Sequence, residues 1–145
     1  MSIYLVDEKN LLAASRHKIT RRLASLLKEL GHGQGHLTVF LTDDEEIRRL
    51  NKIFRGVDKS TNVLAFPDTD LAVGRAGYLG DLALSVPTLR REAKENGHDL
   101  GYLLFFYLIH GLLHLLGYDH EKGKKEEEDQ DKETIRLMSL IKHDL

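Results

Sequence analysis

The most constraining feature of the chain is an apolar stretch at residues 100–116, preceded by Asp99 and followed by Gly117. An aspartate before such a stretch can accept hydrogen bonds from the first unpaired N–H groups of a helix. A glycine after it is typical of a helix that ends in a left-handed turn. Because the stretch is apolar on nearly every face, it predicts a helix buried in the core. It is shorter than a usual membrane span and contains two histidines, which favours a core helix over a membrane helix.

Three histidines lie within and just after this stretch, in the pattern His-x3-His-x5-His. They are His110, His114 and His120. The first two are one helical turn apart on one face, so they can bind one ion from the same side. Burying imidazoles beside an apolar helix is costly unless a partner satisfies them. The spacing therefore predicts that all three histidines bind a metal ion, whereas a lone buried histidine would indicate a hydrogen-bonded core residue.

Three protein ligands are typical of a catalytic zinc site, since structural zinc sites usually have four. Zinc in such a site lowers the pKa of a bound water from 15.7 to about 7 and polarises carbonyl or phosphoryl oxygens. The pattern therefore predicts a hydrolase. Nickel and copper also suit three imidazoles, and a fourth ligand from His36 or His98 would favour a structural site instead.

Composition limits the class of protein. The chain has 145 residues, of which 41% are hydrophobic and 30% charged, and it contains no cysteine. These values predict a single globular metallohydrolase domain over residues 1–145, without disulfides or thiolate metal ligands. Because the N-terminus shows no basic segment followed by a long apolar one, we expect a cytoplasmic protein.

The charge distribution is uneven although the formal net charge is only −2. Basic residues are concentrated at positions 48–59 and acidic residues at positions 126–133. The basic segment could bind a polyanion locally. Solvent-exposed helix faces would produce the same pattern.

The remaining patterns alternate between strand and helix. The expected strands are residues 3–6, 37–41, 61–66 and 81–85, with Pro67 ending the third strand and residues 68–80 forming a loop. The expected helices are residues 11–30, 42–56, 86–96 and 100–116, and a last one marked by Ile135, Met138, Leu140 and Ile141. This order predicts an α/β fold with α+β layers. A small mixed four-stranded sheet would pack with about five helices, and the zincin-like metal helix would lie in the core.

The histidine pattern also matches the long zinc signature of the metzincin proteases, His-Glu-x-x-His-x-x-Gly-x-x-His. The glutamate of that signature is the general base of the peptidase mechanism, and Gly111 stands in its place here. Glycine cannot accept a proton. The pattern therefore argues against a metal-dependent peptidase, unless Asp81 or Asp119 provides the base.

Residues 110–120 resemble the signature of the YbeY family, which are bacterial metal-dependent endoribonucleases of ribosomal RNA maturation. Three further segments stand in the family's order and at similar spacing, and they are residues 50–55, 61–67 and 79–85. The resemblance covers residues 35–135. The chain departs from the family at Asn62, where an aspartate is usual, and at Asp129, where a methionine is usual.

The resemblance implies that His110, His114 and His120 bind one Zn²⁺ per chain and that Arg55 faces the ion. It implies a zinc-dependent endoribonuclease that cleaves single-stranded RNA, in maturation of the 16S rRNA 3′ end and in ribosome quality control. The implied partners are ribosomal RNA and the ribosome or its proteins, without DNA or membrane. Arg55 suits this role because a guanidinium binds phosphate bidentately, although an ion pair with Asp58 or with a helix carboxylate would explain it structurally.

Two other functions remain open at this point. The first is a metal-dependent peptidase of metzincin-like geometry. The second is a non-catalytic, ribosome-associated factor with a structural zinc, which would bind RNA without cleaving it. Thr61 and Asn62 can orient the loop that carries Lys59 or serve only as turn residues. Asp81 can orient an imidazole or be an ordinary strand carboxylate.

Overall fold

A computed structural model of the chain describes residues 2–67, 77–118 and 122–145. The strands are β1 (Ser2–Val6), β2 (His36–Thr42), β3 (Val63–Pro67) and β4 (Tyr78–Ser85). The helices are α1 (Arg16–Glu29), α2 (Asp44–Arg55), α3 (Val86–Asn96), α4 (Leu100–Leu115) and α5 (Lys124–Met138). A short 3₁₀ turn at Ala13–Ser15 precedes α1. The predicted loop at residues 68–80 lies mostly outside the described residues, and its last three positions belong to β4.

The four strands form one mixed sheet in the order β1-β2-β4-β3. β1, β2 and β4 are parallel, and β3 pairs antiparallel with β4 at the edge of the sheet. The predicted α/β fold with a small mixed sheet is therefore confirmed. Because strand side chains alternate between the two faces, Leu82 and Leu84 of β4 face one layer of helices and Ala83 faces the other.

Pro67 belongs to β3 and does not stop it before residue 67 as predicted. The N–H of Ser85 donates to the carbonyl of Asn62 at 3.1 Å, which makes these two residues a hydrogen-bonded pair. Since such pairs alternate along an antiparallel ladder, the backbone polar groups of Ala65 and Pro67 point away from β4. The missing N–H of the proline therefore removes no bond from the sheet.

Helix α4 lies in the core, as its apolar sequence predicts. Its fully buried side chains include Leu104, Phe105, Leu108, Ile109 and Leu112. They pack in one cluster with the inward-facing residues of the sheet and with α1. Within the described part of the chain, the helices lack the combination of length and hydropathy needed to cross a membrane.

The two ends of α4 differ in how well the sequence predicts them. Asp99 is the residue before the helix, but its side chain accepts no hydrogen bond there, so the expected carboxylate cap is wrong. Gly117 has the predicted left-handed conformation, with φ +101°. The N–H groups of Gly117 and Tyr118 donate to the carbonyls of His114 and Leu113 at 3.1 and 3.0 Å. This Schellman turn ends the helix and redirects the chain immediately after His114.

Helix α2 covers part of the opposite face of the sheet. Its Ile47 is fully buried and packs with Leu64 and Ala83. The residue before the helix, Asp43, caps it, because its Oδ1 accepts from the N–H of Glu46 at 2.9 Å. Thr42, where the capping pattern was expected to begin, belongs to β2.

Gly111 allows α4 to lie close against the sheet. A Cβ atom at this position would lie 2.7 Å from Leu82 Cδ2 and 3.4 Å from Val63 Cγ2. Leu82 is fully buried, so its methyl group has little room to move. The residue at position 111 therefore faces the sheet, and a larger side chain there would overpack the core.

Gly111→Ala is expected to destabilise the fold by about 1–2 kcal/mol, because overpacking outweighs the gain in helix propensity. The expected fall in the thermal midpoint is about 3–8 °C, measured by circular dichroism. Gly33→Ala is the matched control, since the atoms nearest a Cβ there are at 3.6–3.7 Å. A Gly111→Ala protein that melts with the control would contradict this assignment of the contact.

Asp44 joins the start of α2 to α3. Its carboxylate accepts from the hydroxyl of Ser85, from Thr88 Oγ1 at 2.6 Å and from Arg91 Nη2 at 2.7 Å. Partial burial raises the pKa of Asp44, but these hydrogen bonds outweigh it and lower the pKa from 3.8 to about 2. The ionised carboxylate therefore stabilises the folded state.

Asp44→Asn is expected to lower the free energy of unfolding at pH 7 by about 1 kcal/mol, since solvent screens part of these interactions. Because the folded pKa lies below the unfolded value of 3.8, the stabilisation is complete above that value and is lost as the pH falls through 2. Urea unfolding of both proteins between pH 7 and pH 2 measures the difference. A difference that stayed constant down to pH 2 would exclude this role.

Candidate metal centre

His110 and His114 lie in the last two turns of α4. Both are half-buried, whereas Ile109, Leu112 and Leu113 beside them are fully buried. The four-residue spacing puts the two imidazoles on one face of the helix, at the border of the core, as predicted. The helix brings together two of the three predicted ligands.

His120, the third predicted ligand, lies outside the described residues, and so does Asp119. Within residues 2–67, 77–118 and 122–145, no three histidine or carboxylate groups are arranged to hold one ion. The three-ligand site therefore stays a prediction. In the sequence, His120 follows Gly117 by three residues.

Gln130 of α5 contacts the first histidine of the pair, and the sequence patterns did not indicate it. Its side chain is 2% exposed, and its Nε2 lies 3.2 Å from Nδ1 of His110. Its Oε1 is buried and has no hydrogen-bond partner among the described residues. The buried positions of α5 are Gln130, Thr134, Leu137 and Met138. The helical spacing of these positions is the sequence signal that could have indicated a buried residue at position 130. Ile135, one of the residues from which this helix was predicted, is instead 71% exposed.

The residues present fit a metal ion. Imidazole nitrogens are preferred ligands of zinc and other borderline metals. A histidine that binds a metal through one ring nitrogen usually donates the other N–H to an oxygen acceptor. The Gln130 amide next to His110 carries such an acceptor. His110 and His114 are the described side chains that would hold the ion.

Arg55, the predicted functional cation, is the last residue of α2 and is exposed. Its Nη2 donates to the carbonyl of Ala65 at 2.7 Å, and its guanidinium carbon lies 5.8 Å from the ring centroid of Phe66. Asp58 instead receives hydrogen bonds from Arg48 at 2.7 and 3.2 Å. The structural alternative of an ion pair between Arg55 and Asp58 is therefore wrong.

Strand β3 lies in contact with both Arg55 and α4. The carbonyl of Ala65 points away from β4, so Arg55 lies along the edge of the sheet that no further strand of the described residues pairs with. The side chain of Ala65 packs in the core cluster that includes α4, and Val63 lies opposite Gly111. Arg55 and the helix that carries the two histidines thus both contact the same short edge strand.

Asn62 fixes the start of this strand. Its Oδ1 accepts from the N–H of Val63 at 2.8 Å, and its Nδ2 donates to Glu92 of α3 at 3.2 Å. Glu92 also accepts from the hydroxyl of Tyr107 on α4 at 2.8 Å. Burial and the carboxylate of Glu92 raise the pKa of Tyr107 to about 12. Asn62 therefore ties β3 to α3 and α4.

The loop that carries Lys59 is positioned by another asparagine. Asn51 is buried in α2, and its Nδ2 donates to the carbonyl of Lys59 at 2.9 Å. Asn62, which was considered for this role, makes its contacts with Val63 and Glu92 instead.

Asp81 lies on the face of the sheet opposite to α4. It accepts a hydrogen bond from the hydroxyl of Tyr78, and it lines a cavity of about 540 Å³ beside α2. Phe40, Phe66 and Ala83 line the same cavity. Asp81 is therefore an ordinary strand carboxylate, placed where it cannot serve as a base at the histidines.

Neither of the two histidines considered as a fourth ligand lies beside the pair. His98 stacks on Tyr102, with ring centroids 4.8 Å apart, and Tyr102 is about 12 Å along the helix from His110 at 1.5 Å per residue. His36 begins β2, and its neighbour Leu37 is the one that packs into the core.

The charged segments resemble solvent-exposed helix faces. In the basic segment, Arg48 pairs with Asp58 and Arg49 pairs with Glu46. In the acidic segment, Glu133 pairs with Arg136 of the same helix. Part of each segment is thus neutralised locally, so the local charge favours a polyanion less than the sequence suggests.

Comparison with known proteins identifies the relatives of this chain. It is 44% identical to the endoribonuclease YbeY of Aquifex aeolicus over 128 residues, which are 88% of this chain and 85% of that protein. It is 37% identical to the endoribonuclease YbeY of Anaeromyxobacter dehalogenans over 143 residues, 97% of this chain and 74% of that protein. The chain spans 58% of the length of another such relative, from Rhodopseudomonas palustris, with 46% identity over 111 residues and 74% of this chain.

A solved structure and a family model agree with these relatives. The solution structure of TM1509 from Thermotoga maritima matches with a TM-score of 0.69 and 28% identity, over 94% of this chain and 86% of that one. The model of the family described as endoribonuclease YbeY matches residues 3–141. With a match over nearly its whole length and relatives of this similarity, the chain belongs to the endoribonuclease YbeY family.

Proposed function

We propose that the chain is a zinc-dependent endoribonuclease of the cytoplasm that cleaves single-stranded RNA. Its substrate is ribosomal RNA, and it acts in maturation of the 16S rRNA 3′ end and in ribosome quality control, in association with the ribosome. The observation that carries the proposal is the pair of half-buried imidazoles at the end of α4, a helix that contacts the same edge strand as Arg55. Membership of an endoribonuclease family supports RNA as the substrate class.

Zinc would be held by His110, His114 and His120. A bound zinc ion would supply Lewis acidity toward a phosphoryl oxygen and make a water molecule more acidic. The protein positions the first two ligands on a helix whose other faces are packed in the core. Such packing limits their movement, which suits a site that must keep a fixed geometry.

Arg55 would bind the scissile phosphate. A guanidinium has five N–H donors, and the contact with the Ala65 carbonyl uses Nη2. This contact and the neighbouring ring of Phe66 orient the planar group. The remaining donors can bind two phosphate oxygens in parallel and stabilise the negative charge that develops on them during cleavage.

A peptidase of the metzincin type is disfavoured by the packing at Gly111. The general base of those enzymes would have to occupy this position, where even a Cβ would lie 2.7 Å from Leu82. Asp81, the described alternative base, lies on the other face of the sheet. RNA cleavage that depends on phosphate recognition by Arg55 fits the site better.

His114→Ala is expected to remove zinc and RNA cleavage together, because two remaining imidazoles bind the ion too weakly. Metal content of the purified protein by plasma mass spectrometry, and cleavage of a labelled single-stranded RNA, measure the two effects. His98→Ala is the matched control, since His98 stacks on Tyr102 at the other end of α4. Full zinc content in a folded His114→Ala protein would rule out this metal centre.

Arg55→Ala is expected to reduce cleavage by about 10²–10³-fold while the zinc content stays complete, because the ligands are untouched and a charge-stabilising donor is lost. Arg55→Glu should reduce cleavage further, since it places a negative charge near the phosphate. Arg48→Ala, on the same helix and paired with Asp58, should cleave within about threefold of wild type, a change typical of an exposed ion pair. Cleavage at the wild-type rate by Arg55→Glu would show that this role is wrong.

A further inference from the structure

The side-chain amide of Gln130 is buried against the first proposed metal ligand and is only partly satisfied. Its nitrogen lies 3.2 Å from Nδ1 of His110, and its oxygen has no partner among the described atoms. A buried polar atom without a hydrogen bond is costly. An apolar side chain such as methionine would fill a similar volume without that cost. The presence of glutamine at this position therefore requires an explanation.

The hydrogen bond determines which ring nitrogen of His110 carries the proton. An amide N–H can donate to Nδ1 only if Nδ1 has a lone pair, which places the proton of a neutral imidazole on Nε2. An imidazole that binds a metal through Nε2 has the opposite tautomer, with its proton on Nδ1. That proton needs an acceptor, which metal-binding histidines usually find in a neighbouring oxygen.

We propose that Gln130 is a positioning residue of the metal centre and that its amide reverses when metal binds. In the loaded protein, Oε1 accepts a hydrogen bond from Nδ1–H of His110, which commits Nε2 of that ring to the ion. Each of the two orientations of the Gln130 amide leaves either its oxygen or its nitrogen without a hydrogen bond. The tautomer of His110 therefore decides which orientation the amide adopts. This inference rests on the metal centre proposed above.

The surroundings of Gln130 make the role specific to that residue. Asp129, which precedes it, is exposed on α5. Thr134, one turn further along the buried face, donates its hydroxyl to the backbone carbonyl of Gln130 at 2.8 Å. On this buried face of α5, the side chain of Gln130 lies within hydrogen-bond distance of His110.

The experiment compares zinc affinity in wild-type protein, Gln130→Met, Gln130→Glu and Thr134→Val, by competition with a chelator of known affinity. Gln130→Met should bind zinc about 10–100-fold more weakly, as expected when a supporting hydrogen bond to a ligand is lost. Gln130→Glu keeps an acceptor oxygen next to Nδ1 and should bind within about threefold of wild type. Thr134→Val removes a hydroxyl on the same face and should also match wild type.

Equal affinity of Gln130→Met and wild type would overturn the inference, and so would an equal loss in Gln130→Met and Gln130→Glu. A second measurement needs no variant. In ¹⁵N-labelled wild-type protein, the ring proton of His110 should lie on Nε2 without metal and on Nδ1 after zinc is added. A ring proton that remains on Nε2 in the loaded protein would equally overturn it.

Failure of the metal centre is distinguishable from failure of this inference. If wild-type protein binds no zinc, or if His114→Ala binds it equally well, the metal centre is wrong and the role of Gln130 is wrong with it. If zinc binding requires His114 but is unchanged in Gln130→Met, only the positioning role is wrong.

Discussion

The close contact between α4 and the sheet is the constraint on which the site depends. At Gly111 the helix backbone comes near enough to Leu82 and Val63 that a Cβ would overlap the leucine methyl group. His110 precedes this contact by one residue, and His114 follows it by three. The geometry of the proposed ligands is therefore set by a backbone-to-core contact, and interiors packed in this way resist small displacements.

Strand β3 contacts α4 on one side and Arg55 on the other. Its inner face packs against α4, and its outward carbonyl at Ala65 accepts a hydrogen bond from Arg55. Asn62 attaches the beginning of the strand to α3 through Glu92, which also contacts Tyr107 of α4. Arg55 and the helix that carries the two histidines are far apart in sequence, and both are positioned by contacts with this one five-residue strand. In the proposed reaction, such a frame would spare the substrate part of the cost of arranging the groups around it.

The fold class, α4 and its C-terminal turn could be predicted from sequence because each depends on local signals. A continuous apolar stretch can be buried in only a few ways, and Gly117 adopts a positive φ at low cost. The N-terminal end of α4 was predicted less well, since Asp99 is a suitable cap by residue type but makes no capping hydrogen bond. The prediction that the third strand ends before Pro67 was wrong. A strand tolerates proline where its nitrogen points away from the neighbouring strand, and that direction depends on the pairing.

The partners of the site residues could not be predicted, because they come from other elements. The contacts of Arg55 with Ala65 and Phe66 follow from how α2 crosses the sheet, and no sequence spacing encodes that crossing. Gln130 illustrates the same limit. On α5 it is one polar residue in a strongly polar segment, and only the packing of α5 on α4 shows that it is buried next to His110.

The outward carbonyl of β3 has one more consequence. An unpaired strand edge can template pairing with another chain, and here Arg55 covers the Ala65 carbonyl while Pro67 contributes no donor at the next outward position. The guanidinium proposed to recognise phosphate therefore also occupies a hydrogen-bonding position that a strand of another chain would need. Selection acting on substrate recognition and selection acting against aggregation would converge on this single side chain.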